Sequence, residues 1–83
     1  ETPGVLRFEE RGYLYTYHII TDTESLFDVE RDPRCLSNVG PREPERMERY
    51  RRQLAERMGV EDLKELTRWY EQTIERLRGL GYL

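Results

Sequence analysis

The sequence has little of what a disulfide, a metal centre or a membrane span would require. Its 83 residues include one cysteine and one histidine. An internal disulfide is therefore excluded, and a zinc site, which needs about four clustered ligands, is poorly supported. No uninterrupted apolar run approaches the roughly 18 residues of a membrane-spanning helix, and no signal peptide is recognisable. We therefore expect no metal or cofactor bound by this chain and no membrane as its partner, while the compartment stays open.

An excess of positive charge is also missing. The net charge is −3, and residues 1–40 carry eight acidic and four basic residues against nine and ten in residues 41–83. Neither half has the basic character of a nucleic-acid-binding surface. Only 36% of the residues are hydrophobic, and a chain of this length buries only roughly 60% of its unfolded surface. We expect one domain at most, with a composition typical of a piece that packs against something larger.

Short runs rich in β-branched and aromatic residues predict three strands in the first part of the chain. These runs are VLRFEE, YLYTYHII and SLFDV, at residues 5–10, 13–20 and 25–29. Gly12 suits a tight reversal between the first two, and the polar TDTE suits a turn before the third. We predict an antiparallel meander whose second strand has Tyr13, Tyr15 and Tyr17 on one face and Leu14, Thr16 and His18 on the other.

The run SLFDVERDPRCLSNVG breaks abruptly at Asp-Pro. Pro33 has no amide hydrogen and biases Asp32 toward an extended conformation, so we expect the strand ladder to end after Val29. Asp32 and Asn38 are residue types that accept hydrogen bonds from nearby backbone amides. The segment DPRCLSN, residues 32–38, is therefore predicted to be a compact structural loop held by Asp32, Pro33 and Asn38, and it is called the Asp-Pro loop below.

From Pro44 onward the apolar period changes from two to about 3.6 residues, which predicts two helices. The first stripe is Met47, Tyr50, Leu54 and Met58, and the second is Leu63, Leu66, Tyr70, Ile74 and Leu77. Gly59 and Gly79 are expected to end the helices. The predicted class is α+β, a small antiparallel β-meander followed by two helices, with the meander and Asp-Pro loop in residues 1–40 and the helical part in residues 41–83.

The segment SLFDVERDPRCLSNV resembles the pattern E-L-Y-D-L-x-x-D-P-x-E-x-x-N-L near the C-terminus of sulfatases of the alkaline phosphatase superfamily. The matching positions are Leu26, Phe27, Asp28, Val29, Asp32, Pro33 and Asn38, with Val39 in place of the usual Leu. Ser25 and Cys35 stand where the pattern has Glu. GVLRFEERGYLYTYH is similar to a strand pair of the same family, with Leu14 in place of a common Lys, and LRGLGYL resembles the ends of many sulfatase-like proteins.

This resemblance implies that residues 1–83 form a single C-terminal subdomain that packs against a large catalytic domain, the missing partner. The parent enzyme would hydrolyse sulfate esters, and hydrolysis of phosphate or phosphonate esters is the alternative within the superfamily. Its catalytic domain would hold a divalent cation, usually calcium, and a formylglycine made from Cys or Ser in a C-x-P-x-R or S-x-P-x-R signal. Cys35 lacks the Pro and Arg of that signal. We therefore assign no catalytic, cofactor-binding or metal-binding residue here and expect no catalysis by this chain alone.

Two residues carry a functional hypothesis beside a structural one. His18 is a candidate contact to the substrate cleft, since a protonated imidazole would suit an anionic sulfate ester, and ordinary strand packing or exposure is the alternative. Cys35 as a nucleophile would need a neighbouring base, and the sequence shows no evident link to His18. A structural thiol, behaving as a small hydrophobe, is the favoured interpretation of Cys35.

Two other classes of function stay open as alternatives. One is a free-standing protein-interaction module that docks a partner on its helices. The other is a nucleic-acid module that stacks bases on the tyrosine row and grips phosphates with Arg49, Arg51 and Arg52. The acidic charge and the interleaved glutamates disfavour it, so we expect no nucleic-acid partner.

The short chain also predicts an open sheet face. Two helices cannot cover both sides, so we expect either Tyr13, Tyr15 and Tyr17 or Leu14, His18 and Ile20 to be exposed in the monomer. A second copy would then cover that face, which makes a homo-oligomer of the isolated chain a further expected partner.

Overall fold

The fold is an antiparallel sheet followed by two helices. The computed structural model describes residues 4–82. Strands β1 (Val5–Glu10), β2 (Tyr13–His18) and β3 (Thr23–Asp28) pair in sequence order, both pairs antiparallel. A short 3-10 turn at Gly40–Arg42 leads into helix α1 (Pro44–Met58), and helix α2 (Lys64–Gly79) follows. The predicted α+β class, a small meander followed by two helices, is confirmed.

A two-residue turn sets the register of the first hairpin. Arg11 and Gly12 both have positive φ, at 49° and 81°, which is the geometry of a type I′ turn and matches the twist of the flanking strands. A Cβ on Gly12 would lie 2.5 Å from Glu30 Oε1, so space as well as backbone conformation favours glycine here. The turn places Glu10 opposite Tyr13, and every other pair of the hairpin follows from that one.

The second hairpin differs from its predicted boundaries. β2 ends at His18 rather than Ile20, and β3 begins at Thr23 rather than Ser25. Residues 19–22 form the turn. Asp22 has a φ of 52°, which is incompatible with an extended strand. β3 ends one residue before Val29, whose amide donates instead to the carbonyl of Gly12 at 2.9 Å.

The core lies between one face of the sheet and α1. Its buried members are Phe8, Tyr15, Tyr17 and Leu26 from the sheet, Met47, Tyr50, Leu54 and Ala55 from α1, and Leu63 just before α2. The rings of Phe8 and Tyr50 meet with centroids 5.4 Å apart and planes tilted by 52°. Full burial of one such side chain contributes roughly 1.5–3 kcal/mol, so this layer accounts for most of the hydrophobic stabilisation.

The end of α1 departs from the predicted apolar stripe. Gly59 is left-handed, with φ 73°, as predicted, and the amide of Val60 donates to the carbonyl of Ala55 at 3.0 Å. This closure turns Val60 back onto the core beside Ala55, which is the usual hydrophobic contact of such a helix end. Met58, the last member of the predicted stripe, is exposed and lies outside this core.

α2 is attached only near its start. Leu63 is buried, and Glu65 caps the first turn by accepting hydrogen bonds from the amides of Glu61 and Asp62, both at 3.0 Å. Thr67 is the one buried side chain within α2 among the described residues. The rest of the predicted second stripe, Leu66, Tyr70, Ile74 and Leu77, is only half-buried.

Candidate functional site

The face of the sheet that points away from the helices, called the helix-free face here, carries the polar residues of interest. Its members are Val5, Arg7 and Glu9 in β1, Leu14, Thr16 and His18 in β2, and Thr23, Ser25 and Phe27 in β3. All of these except Glu9 and Thr23 line a shallow depression of about 250 Å³, together with Cys35 from the Asp-Pro loop.

One rung of this face is polar across all three strands. Arg7 pairs with Thr16, and Thr16 pairs with Ser25. Directly opposed residues in an antiparallel sheet have Cβ atoms about 4.5–5.5 Å apart, so the side chains of Arg7, Thr16 and Ser25 start from neighbouring points on this face. Thr16 is only 8% exposed, and within the described part of the chain its Oγ1 has no hydrogen-bond partner. Arg7 is exposed and forms no ion pair with any residue between 4 and 82.

The sequence-predicted contact residue His18 lies at this depression, half-buried, one rung beyond Thr16. Cys35 lines the same depression, held by a positive φ of 54° in the Asp-Pro loop. The structure thus brings together two residues that the sequence left unconnected. No hydrogen bond joins them among the described contacts, and Cys35 is a half-buried free cysteine.

The Asp-Pro loop also corrects the expectation of an open apolar face. The tyrosine side of β2 lies under the helices, and on the other side Leu14 is only 3% exposed. Phe27 from the neighbouring strand and Cys35 from the loop lie around Leu14 at the depression. Ile20 is 53% exposed, but it belongs to the turn after β2. The prediction was therefore wrong for Leu14, because the loop had not been counted as a covering element.

Sequence reasoning did not single out Arg7. The signal that could have found it is the hairpin register. A two-residue turn at Arg11 and Gly12 places Glu10 opposite Tyr13 and therefore Arg7 opposite Thr16. In β1, Arg7 alternates with the apolar Leu6 and Phe8. Once the register is fixed, Arg7 is seen to lie on the same face of the sheet as His18.

Asp32 organises the Asp-Pro loop through its carboxylate. Oδ1 accepts a hydrogen bond from the amide of Leu36 at 3.1 Å, and Oδ2 accepts one from the amide of Ser37 at 2.9 Å. The amide of Cys35 also donates to the carbonyl of Asp32 at 3.0 Å. Pro33 follows directly, where no amide hydrogen is needed. The carboxylate thus closes the loop on itself.

Asn38 joins the loop to the sheet and to the start of the helical part. Its Oδ1 accepts hydrogen bonds from the amides of Leu26 and Gly40, both at 2.9 Å. The amide of Val39 donates to the carbonyl of Leu26 at 2.8 Å. A single side chain therefore fixes the corner at which the chain leaves β3 and approaches α1.

A polar seam ties the sheet to α1. Arg51 donates from Nε to Glu24 Oε1 at 2.8 Å and from Nη2 to Oε2, and Tyr15 donates to Oε1 at 2.7 Å. Burial alone would raise the pKa of the Glu24 carboxyl, but the hydrogen bonds from Arg51 and Tyr15 outweigh it, and the pKa lies below its ordinary value. Burial, reinforced by the bond to Glu24, raises the pKa of Tyr15 well above its ordinary value.

A second polar contact attaches α2 to the sheet. The Tyr17 hydroxyl donates to Asp22 Oδ1 at 2.6 Å and lies 2.6 Å from Thr67 Oγ1, which donates to the carbonyl of Ile19 at 2.7 Å. Burial, followed by the bond to Asp22, raises the pKa of Tyr17 to about 12. The hydroxyls of Tyr17 and Thr67 therefore find hydrogen-bond partners within the chain.

The residues proposed for nucleic-acid contact have other partners. Tyr15 and Tyr17 are buried beneath the helices and present no ring face for base stacking. Arg51 is paired with Glu24, and Arg52 donates to Glu48 at 3.1 Å. The Arg49 guanidinium lies 5.4 Å from the centre of the Tyr50 ring.

Two further features of the described residues bear on the site. Within residues 4–82, no three His, Cys, Asp or Glu side chains come together as a group that could hold a metal ion. Neither α1 nor α2 is long and apolar enough to cross a membrane.

Comparisons of the chain with protein-family models, curated proteins and solved structures give no match.

Proposed function

We propose that the chain is the C-terminal structural subdomain of a sulfatase-like hydrolase. The observation that carries the proposal is the construction of the Asp-Pro loop. Asp32 and Asn38, two residues shared with the sulfatase pattern, are the ones whose side chains accept the backbone hydrogen bonds that shape the corner. Because these two side chains hold the backbone of the corner, they support a role as a scaffold element.

The distribution of exposed apolar side chains also supports a piece that packs against a larger body. On and after α2, Trp69, Leu80 and Tyr82 are exposed, beside a half-buried stripe of Tyr70, Ile74 and Leu77. Large apolar side chains gathered in one region favour contact with another protein surface. The parent would hydrolyse a sulfate ester, with its formylglycine and divalent cation, usually calcium, in the catalytic domain. His18 would face the substrate cleft.

The first experiment reads the coding sequence upstream of Glu1 and assays the isolated chain. We expect a C-x-P-x-R or S-x-P-x-R signal upstream, and no hydrolysis of 4-nitrophenyl sulfate or 4-nitrophenyl phosphate by the 83-residue chain, with or without calcium. An upstream sequence without either signal would contradict the proposal. So would turnover that co-purifies with the chain and disappears in Cys35→Ala.

The exposed residues of α2 also favour a second candidate, a free-standing protein-interaction module. Light scattering coupled to size-exclusion chromatography separates the two. A tight homodimer at micromolar concentration favours the interaction module, and a monomer that adheres to the column favours the detached subdomain.

A further inference from the structure

The helix-free face contains a polar group whose burial is unexplained by the fold itself. The Thr16 hydroxyl is at the centre of the rung formed with Arg7 and Ser25, and it has no hydrogen-bond partner within the described residues. A buried hydroxyl that is left unpaired destabilises the folded chain. Valine has the same shape and a higher preference for strands, so packing alone does not favour threonine at this position.

The charges around this hydroxyl favour a negatively charged ligand. Arg7 forms no ion pair within residues 4–82, and its guanidinium offers five donors in a planar fork. Glu9 is the one acidic member of the face, and it lies at the neighbouring rung opposite Leu14, outside the lining of the depression. Among residues 4–82, therefore, no carboxylate lines the depression to repel an anion.

The donors approach from several directions. Arg7 lies on β1, Thr16 and His18 on β2, and Ser25 on β3, all around the same depression of about 250 Å³. A neutral or charged imidazole can donate at least one N–H, and each hydroxyl can donate one O–H. One guanidinium can form both hydrogen bonds to a planar carboxylate. Donors on three strands better match an anion whose oxygens point in several directions.

We propose that the depression on the helix-free face is a binding site for a tetrahedral oxyanion, a sulfate or phosphate group. Arg7 is the charge partner, the hydroxyls of Thr16 and Ser25 donate from the floor and side, and His18 donates from the rim. The proposal extends the role proposed above for His18 toward an anionic ester. It can be tested without the parent enzyme, because the isolated chain carries all four side chains.

The test is an NMR titration of the isolated chain with sodium sulfate, sodium phosphate or sodium acetate, at ionic strength held constant with sodium chloride. We expect saturable shifts at the amides of Thr16 and Ser25 and at Arg7 Nε–H with sulfate or phosphate, and weaker binding of acetate. The anion that binds with the lower Kd shows whether the site prefers a sulfate or a phosphate group. Absence of saturable shifts with both, or equal affinity for acetate, overturns the proposal.

Two variants separate a binding role from a structural one. Arg7→Gln is expected to weaken binding at least about tenfold, because a charge-assisted hydrogen bond is lost, while the matched control Arg68→Gln on α2 leaves affinity unchanged. Thr16→Val is expected to weaken binding about fivefold and, in the absence of anion, to raise the unfolding midpoint. Equal binding by Arg7→Gln, or a Thr16→Val chain that is destabilised and binds normally, would overturn the assignment.

Discussion

The two helices have nearly the same length and both carry an apolar stripe, yet only one is built into the core. α1 has 15 residues and contributes Met47, Tyr50, Leu54 and Ala55 to the buried layer. α2 has 16 residues and contributes Thr67 alone. Beyond Thr67 the stripe of α2 is only half-buried, and Trp69 is 63% exposed. An amphipathic pattern therefore predicts a helix and its apolar side, but the extent of the sheet decides which turns are covered.

The attachments of the helices differ in kind as well as in extent. α1 is held by aromatic packing, by the paired Glu24 and Arg51, and by guanidinium groups over sheet aromatics, with Arg46 4.0 Å from the ring centre of Tyr13 and Arg57 4.6 Å from that of Phe8. α2 is held by Leu63 before its first turn and by the hydrogen bonds of Thr67. Most of α2 is thus available to a partner, whereas α1 is committed to the domain.

The sharpest test of this difference replaces a tyrosine in each helix. Tyr50→Ala removes a fully buried ring that packs on Phe8, and we expect a loss of about 3–5 kcal/mol in the free energy of unfolding. The matched control Tyr70→Ala, on the half-buried stripe of α2, should lose less than about 1.5 kcal/mol. Urea denaturation followed by circular dichroism measures both. Equal losses would show that α2 is as firmly packed as α1.

A second pair of variants tests where α2 is attached. Leu63→Ala empties a site that is 1% exposed, and we expect a loss of about 2–4 kcal/mol. Leu77→Ala, on the last turns of α2, should change the free energy of unfolding by less than about 1 kcal/mol. Amide hydrogen exchange adds an independent measurement, since exchange should be faster after Thr67 than before it. Uniform protection along α2 would contradict this attachment.

The fold was accessible from the sequence wherever a local signal fixed the geometry. Gly12, where φ is positive, predicted the first hairpin. The change of apolar period at Pro44 predicted the first helix. The end of β2 was missed because Ile19 and Ile20 have high strand propensity, and the turn that stops the strand depends on pairing between strands. The stripe of α1 does not reveal that its last member, Met58, is exposed, nor that Gly59 turns Val60 onto the core.

The candidate site was less accessible than the fold. Asp32 and Asn38 act through backbone amides close in sequence, which their residue types indicate directly. The depression gathers Arg7, His18 and Cys35 from two strands and a loop, so finding it requires the register and the path of the loop together. A pattern within one strand shows which side a residue occupies, but not what lies beside it on the next strand.

The Asp-Pro loop sets the position from which α1 begins, and its contribution should be smaller than that of the core. Asp32→Ala removes acceptors for the amides of Leu36 and Ser37, and we expect a loss of about 1 kcal/mol. Asp32→Asn keeps one acceptor oxygen and should lose less. Glu30→Ala, an exposed neighbour, is the control. An unchanged denaturation midpoint in Asp32→Ala would show that solvent replaces these bonds without loss.

The smallest expected effect concerns the charged attachment of α1 and its dependence on pH. The pKa of Glu24 lies below its ordinary value of 4.5 in the folded chain, so the unfolded chain binds this proton more tightly. The stabilisation from Glu24 is therefore complete above pH 4.5 and is lost as the pH falls through the lower, folded pKa. Solvent screens this partly exposed pair, so we expect less than about 1 kcal/mol.

Glu24→Gln isolates that contribution. The difference in free energy of unfolding between the parent chain and Glu24→Gln should be largest at pH 7 and should shrink steadily below pH 4.5. Glu48→Gln, which removes the exposed partner of Arg52, is the matched control and should change stability by only about 0.3–0.5 kcal/mol at pH 7. A Glu24→Gln difference that stays constant as the pH falls from 7 to below 4.5 would mean that Glu24 joins β3 to α1 by packing, because a contribution from its charge must shrink once the unfolded chain binds the proton.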